Sequence, residues 1–199
     1  MWMTRRWVLV LVTMGALSAL GTTLVAMDVP ALTRASDLVV RGTVVRVEPR
    51  WTEDKRRIIT DSEILVSEVL KGNVTGQTVV VMQPGGAIGD VGQLVHGTAK
   101  FSLGDEVVVF LERRGDRAFV VGLAQGRFLV DRSGATPMVK GGEDDLFLID
   151  AKTHRPVEAP AQPMTLAALL SGVRESLGPS PSQPVTPRPG VVLPGKKAP

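Results

Sequence analysis

The sequence predicts an all-β fold, a closed or partly open antiparallel barrel that carries a short C-terminal helix. From about residue 38 to residue 139 nearly every segment is rich in β-branched residues, and turn residues separate these segments at short intervals. No long amphipathic segment lies between the predicted strands, so the crossover helices of a parallel sheet have no place in the chain. A series of short strands joined by short turns is typical of a barrel that closes on itself.

The first predicted strands form a long hairpin. Leu38–Glu48 and Arg57–Leu70 are the two strands, and the polar residues 49–56 form the turn between them. Residues 71–77 contain glycine and asparagine, which end the second strand, and the next predicted strand is Thr78–Met82.

Three further strands follow after residue 105. They are predicted at Glu106–Arg114, Arg117–Leu123 and Arg127–Asp131, and the pair Gly115-Asp116 is a two-residue connection between antiparallel neighbours. The segment Val107–Leu111 contains no polar residue. We therefore expect it to be covered on both faces and to lie in the centre of the sheet.

Helical patterns occur only towards the ends of this region. Asp28–Asp37 predicts one or two helical turns, and a second helix has Thr165 as its cap and Gly178 as its stop. Its apolar residues share one face that would dock on the barrel: Leu166, Leu169, Leu170, Val173 and Leu177. Residues 146–159 predict a last, more exposed hairpin.

The two ends of the chain predict an export signal and a tail. Arg5 and Arg6 precede an uncharged run that ends at the small residue Ala26, so residues 1–26 are predicted to be a signal peptide and the protein to be periplasmic or secreted. If the run stays uncleaved, it would instead anchor the protein in the membrane. Residues 27–177 form the predicted domain, and the proline-rich residues 178–199 a disordered tail.

Composition excludes several classes of function. The chain has no cysteine, which rules out disulfides, a thiol nucleophile and a thiolate zinc cluster. Five of the 23 basic residues lie in the two ends, which leaves 18 basic against 20 acidic residues in the domain. A nucleic-acid surface needs a concentrated basic field, so we expect no nucleic-acid partner.

A glycine-rich segment is the main candidate site. Gly85, Gly86, Gly89 and Gly92 follow a predicted strand, as they would in a phosphate-binding loop. No helix and no Gly-Lys-Ser/Thr sequence follows them, however, so a phosphate site is not predicted. We expect a flexible inter-strand loop from Gly85 to Lys100, and loops of this length commonly carry binding surfaces.

Other candidate residues give little support for catalysis. His96 and His154 stand in separate polar segments, no G-x-S-x-G sequence occurs, and no metal-ligand spacing is present. We therefore predict no enzyme activity, no cofactor and no metal. Trp51 lies at the tip of the first hairpin, where it would either anchor an interface or cap the open end of the barrel.

Two short motifs resemble the netrin-like module that is shared with the tissue inhibitors of metalloproteinases. The first is Val66, Glu68, Val69, Leu70, Lys71 and Gly72, and the second is Phe101, Gly104, Asp105 and Val107–Phe110. The resemblance covers about residues 35–123 and implies an OB-like barrel, the oligonucleotide/oligosaccharide-binding type, in an exported protein. The inhibitors chelate the zinc of their target through an N-terminal cysteine, which this chain lacks, so the resemblance implies no inhibitory mechanism.

These features together predict an exported, non-enzymatic binding module. We expect its partner to be a protein in the envelope or the extracellular space, and its contact surface to consist of the segment Gly85–Lys100 and the tip around Trp51. Two alternatives remain open, a protease inhibitor with a non-cysteine mechanism and a hydrolase that uses His96.

Overall fold

The structure is a computed structural model that describes residues 23–115, 117–141, 146–150, 152–157 and 164–178. Most of the predicted signal peptide and the predicted tail after Gly178 lie outside the described residues. The β-strands are β1 Thr23–Val25, β2 Leu38–Trp51, β3 Ile58–Lys71, β4 Thr78–Pro84, β5 Gly86–Ile88, β6 Val91–Gln93, β7 Glu106–Arg114, β8 Arg117–Val120, β9 Arg127–Asp131, β10 Met138–Gly141, β11 Phe147–Ile149 and β12 Met164–Thr165. The helices are α1 Val29–Ala35 and α2 Leu166–Leu177.

Five strands form a nearly closed ring, which confirms the predicted barrel. Strand β2 pairs with β3, β3 with β4, β4 with β8, β8 with β7, and β7 again with β2. The expectation of a wholly antiparallel barrel was wrong, because β4 and β8 run parallel and meet at Val81 and Ala118. A ring with an odd number of strands cannot alternate in direction throughout, so one neighbouring pair must be parallel.

Strand β7 lies between two apolar cores, as its sequence predicts. Residues 107–111 are all fully buried. Val107 and Val109 face the interior of the barrel, whereas Val108 and Phe110 face a second core between the barrel wall and the two helices. The alternation of side chains along a strand divides one apolar run between two cores.

Both predicted helices form, and each has a side-chain cap. Thr165 Oγ1 accepts a hydrogen bond from Ala168 N at 3.1 Å, and α2 ends before Gly178, whose φ is 73°. In α1, Asp28 Oδ1 accepts from Ala31 N at 2.7 Å. The apolar face of α2 packs into the second core through Leu166, Leu169, Leu170 and Val173.

The strand predicted at Arg117–Leu123 ends earlier, at Val120, and a tight loop then separates β8 from β9. Val121 N donates to Phe110 O at 2.9 Å and Phe110 N donates to Gly126 O at 2.8 Å, so residues 122–125 are looped out of the sheet. Gln125 in this loop is buried, and its Oε1 accepts from Met27 N at 2.8 Å. The loop thereby fixes the segment that precedes α1.

Strand β1 lies within the predicted signal peptide, residues 1–26. It pairs in parallel with β11, and Gln125 Nε2 donates to Val25 O at 3.1 Å. The last predicted hairpin is present as β11 and a bridge between Ile149 and Pro156.

Candidate functional site: a cavity beneath the glycine hairpin

The glycine-rich segment forms an ordered hairpin where a flexible loop was expected. Strands β5 and β6 pair at Gly86 with Gln93 and at Ile88 with Val91, and Gly89-Asp90 forms the tip. Gly89 has a φ of 57°, which a two-residue hairpin turn requires. The Gly-Asp pair is the sequence signal from which this turn could have been predicted.

Two of the four candidate glycines are required by close contacts. Gly85 has a φ of 95°, and a Cβ there would lie 2.8 Å from Gln93 O. Gly86 has a φ of 136°, and a Cβ there would lie 2.5 Å from Thr60 Oγ1. A Cβ at Gly89 or Gly92 would meet no atom within 4 Å. Gly85 therefore allows the close approach of β6 within the hairpin, and Gly86 allows the close approach of the hairpin to β3.

Hydrogen bonds fix the hairpin to β3. Gly85 N donates to Ile58 O at 2.8 Å, and Thr60 Oγ1 donates to Gly85 O at 2.7 Å. From the second strand of the hairpin, Gln93 Oε1 accepts from Ile58 N at 2.8 Å. The residue before β5 and the last residue of β6 are thus both tied to the start of β3.

A cavity of about 610 Å³ lies between this hairpin and the inner face of the barrel wall, and we call it the hairpin cavity. Its wall consists of Val47 and Pro49 on β2, Thr60 and Ser62 on β3, and Gln83 and Pro84 on β4. Its cover consists of residues 85–87, 92–95 and 98–101. Pockets of this size are typical of small-ligand sites.

Ser62 is the unusual polar group in this cavity. It is 1% exposed, and its Oγ has no hydrogen-bond partner among the described residues. Gln83 is also buried, but its Nε2 donates to Ala99 O in the cover. An unpaired buried hydroxyl costs about 1–3 kcal/mol, so Ser62 is a site of unmet hydrogen-bonding capacity.

Ser62 and Gln83 are not among the candidate residues predicted from the sequence. The signal lies in the alternation along β3: Ile58 and Ile64 are buried apolar residues, and Thr60 and Ser62 occupy the positions between them on the same strand face. Hydroxyl side chains at inward positions of a barrel strand indicate that polar groups are present in the barrel interior. That signal can be interpreted only when the inward face is known.

Three of the six candidate site residues predicted from the sequence line the cavity. Of those predicted, Gly85, Gly86 and Gly92 line the cavity, whereas Gly89, Trp51 and His96 do not. Trp51 is 39% exposed and lies two residues beyond Pro49 on the same face of β2. His96 is exposed.

Within the described part of the chain, no group of three or more His, Cys, Asp or Glu side chains could hold a metal ion.

Apolar side chains are exposed in the hairpin and directly after it. Val91 in β6 is 51% exposed and Leu94 directly after it is 73% exposed. Leu94 also borders the hairpin cavity, while Val91 does not. An apolar surface therefore adjoins the cavity.

Comparison of the chain with protein-family models and with curated proteins finds no match. Among the described residues, no helix is both long enough and apolar enough to cross a membrane.

Proposed function

We propose that this protein is an exported, non-enzymatic binding module whose contact surface is the outer side of the β5–β6 hairpin together with the neighbouring Trp51. Its partner would be a protein of the envelope or the extracellular space. The observation that carries the proposal is the ordered hairpin with exposed apolar side chains. Val91 and Leu94 are held in place by the hydrogen bonds of Gly85 and Gln93 to β3. Apolar side chains on a fixed element lose little conformational entropy on binding, which favours association.

The netrin-like resemblance is kept as part of this proposal. The ring of β2, β3, β4, β8 and β7 supports an OB-like barrel. The first motif coincides with the end of β3 and the turn after it. In the second motif, Asp105 Oδ2 accepts from Ser102 N at 2.9 Å in the turn before β7. Both motifs therefore lie at strand ends and in turns. They support the type of barrel but give no information about a binding partner.

A non-enzymatic role is favoured by the positions of the possible catalytic side chains. Ser62 lines the cavity, but none of the residues that the structure describes is a hydrogen-bond partner that could act as its base, and His96 lies outside the cavity lining. A nucleophile and its base must lie within hydrogen-bonding reach of each other.

The experiment is a pull-down from the envelope and secreted fractions of the native cell with the full chain as bait. We expect Val91→Asp to abolish capture of a partner, because a buried unpaired charge at the contact is costly. The matched control is Leu103→Asp, which alters a residue that is 72% exposed and lies outside the hairpin and the cavity lining. Equal capture by both variants would contradict the proposal, and turnover of a substrate or inhibition of a protease would replace it with one of the alternatives.

A further inference from the structure

We propose that the hairpin cavity is a binding site for a small, uncharged and mainly apolar molecule that carries one hydrogen-bonding oxygen, and that this oxygen pairs with Ser62 Oγ. This inference goes beyond the protein-binding role, because it concerns the interior of the barrel and needs no partner protein.

The lining selects an apolar ligand. Val47 and Pro49 contribute apolar surface from the wall and Phe101 from the cover, and Pro84, Leu94 and Val95 extend it. The volume of about 610 Å³ exceeds that of a few water molecules and suits a drug-sized molecule. Burial of apolar ligand surface against these side chains would supply most of the binding free energy.

The lining also argues against a charged ligand. Lys100 is the one charged residue among the described lining residues, and it is exposed and already takes part in another interaction. The wall residues on β2, β3 and β4 carry no charge. An ion placed against this wall would gain no charged partner on β2, β3 or β4 in exchange for the hydration that it loses.

Ser62 supplies the polar contact. Its neighbours with hydrogen-bonding side chains are already engaged, since Thr60 Oγ1 donates to Gly85 O and Gln83 Nε2 donates to Ala99 O. The Ser62 hydroxyl can donate one hydrogen bond and accept others. A single carbonyl or hydroxyl oxygen on the ligand would satisfy it.

The hairpin gives a means to block the cavity without breaking the fold. Gly92 lines the cavity, does not have a positive φ, and has no atom within 4 Å of a Cβ built on it. A side chain added at this position would extend from the cover without a clash at its Cβ. Gly134, which has only Thr136 O at 3.9 Å from such a Cβ and lies outside the lining, is the matched control.

The test is a fluorescence titration of the full chain with Nile red, an uncharged aromatic probe that carries a carbonyl oxygen. We expect saturable one-to-one binding. Gly92→Phe should weaken the affinity at least tenfold, whereas Gly134→Phe should leave it unchanged. Ser62→Ala should weaken it about fivefold through the lost hydrogen bond, whereas Ser67→Ala, on an exposed position of the same strand, should have no effect. Thermal unfolding of each variant verifies that it is folded.

Binding that does not saturate, or that is equal in Gly92→Phe and the native chain, would overturn the proposal. Unchanged affinity in Ser62→Ala, with loss in Gly92→Phe, would overturn the assigned polar contact. The outcome is separable from that of the protein-binding role, because Val91 does not line the cavity and its substitution should leave Nile red binding intact.

Discussion

At the scale of single residues, the Ser62 hydroxyl affects both the stability of the unliganded protein and the proposed binding of a ligand. Its hydroxyl is buried without a partner among the described residues, whereas the exposed Ser67 on the same strand donates to Arg41 O at 3.1 Å. We expect Ser62→Ala to raise the free energy of unfolding of the unliganded protein by about 1 kcal/mol, because the unpaired polar group is removed. Denaturant unfolding, with Ser67→Ala as control, measures this change. A loss of stability in Ser62→Ala would show that the hydroxyl has a partner in solution.

The glycines of the hairpin differ in how much their replacement by alanine should destabilise the fold. We expect Gly86→Ala to lower the free energy of unfolding by about 2 kcal/mol, because the new Cβ would lie 2.5 Å from Thr60 Oγ1 at a φ of 136°. Gly92→Ala should change it by less than about 0.5 kcal/mol. Denaturant unfolding of the two variants distinguishes them, and equal values would contradict the close approach of the hairpin to β3.

The lowered pKa of the Glu106 carboxyl group predicts that the stability of the fold depends on pH in the acid range. Hydrogen bonds from Arg132 and then from Arg41 lower the pKa of Glu106 from 4.5 to about 2. A carboxyl group whose pKa is lowered in the folded state stabilises the fold above its unfolded pKa, and this contribution is lost as the pH falls from about 4.5 towards 2.

We therefore expect Glu106→Gln to be less stable than the native chain by about 1 kcal/mol at pH 7, a value that allows for solvent screening of the partly exposed arginines. The difference should shrink as the pH falls below 4.5. Unfolding curves of both proteins between pH 7 and 2 test this. A difference that stays constant over this range would show that the charge of Glu106 is not the cause.

At the scale of elements, β1 bears on where an export signal could be removed. Cleavage after Ala26 would delete β1, its pairing with β11, and the carbonyl of Val25 that accepts from Gln125 Nε2. A buried amide would then lose a partner. If an export signal is removed, we expect the remaining chain to begin at Thr22, after the small residues Ala19 and Gly21 at positions −3 and −1. The intact mass of the exported protein decides this, and a chain that begins at Met27 would contradict it.

Elements with a strong local pattern were predictable from the sequence, and those set by contacts across the fold were not. The long hairpin of β2 and β3, the central β7 and the capped α2 follow from β-branched runs and capping residues. The early end of β8 depends on Val121 and Gly126 both bonding to Phe110, a contact between segments that the local sequence does not specify. The hairpin of β5 and β6 was missed because its strands have only three residues each.

At the scale of the whole molecule, the class of barrel was predictable but the cavity was not. The absence of crossover helices indicated a closed sheet, while the parallel contact of β4 with β8 follows only from the number of strands in the ring. The cavity arises because the hairpin, fixed by Gly85, covers the barrel wall where Thr60 and Ser62 stand. Gly85 lies more than 20 residues after Thr60 and Ser62 and outside their strand β3, so no local pattern relates the hairpin to the wall that it covers.

The most direct test of the binding role is hydrogen exchange of the full chain, alone and with the partner captured from the envelope or secreted fraction. We expect slower exchange on binding in residues 85–95 and around Trp51, and no change in α2, which packs against the second core. Unchanged exchange in the hairpin, with protection elsewhere on the barrel or the helices, would contradict the assignment of the hairpin as the contact surface.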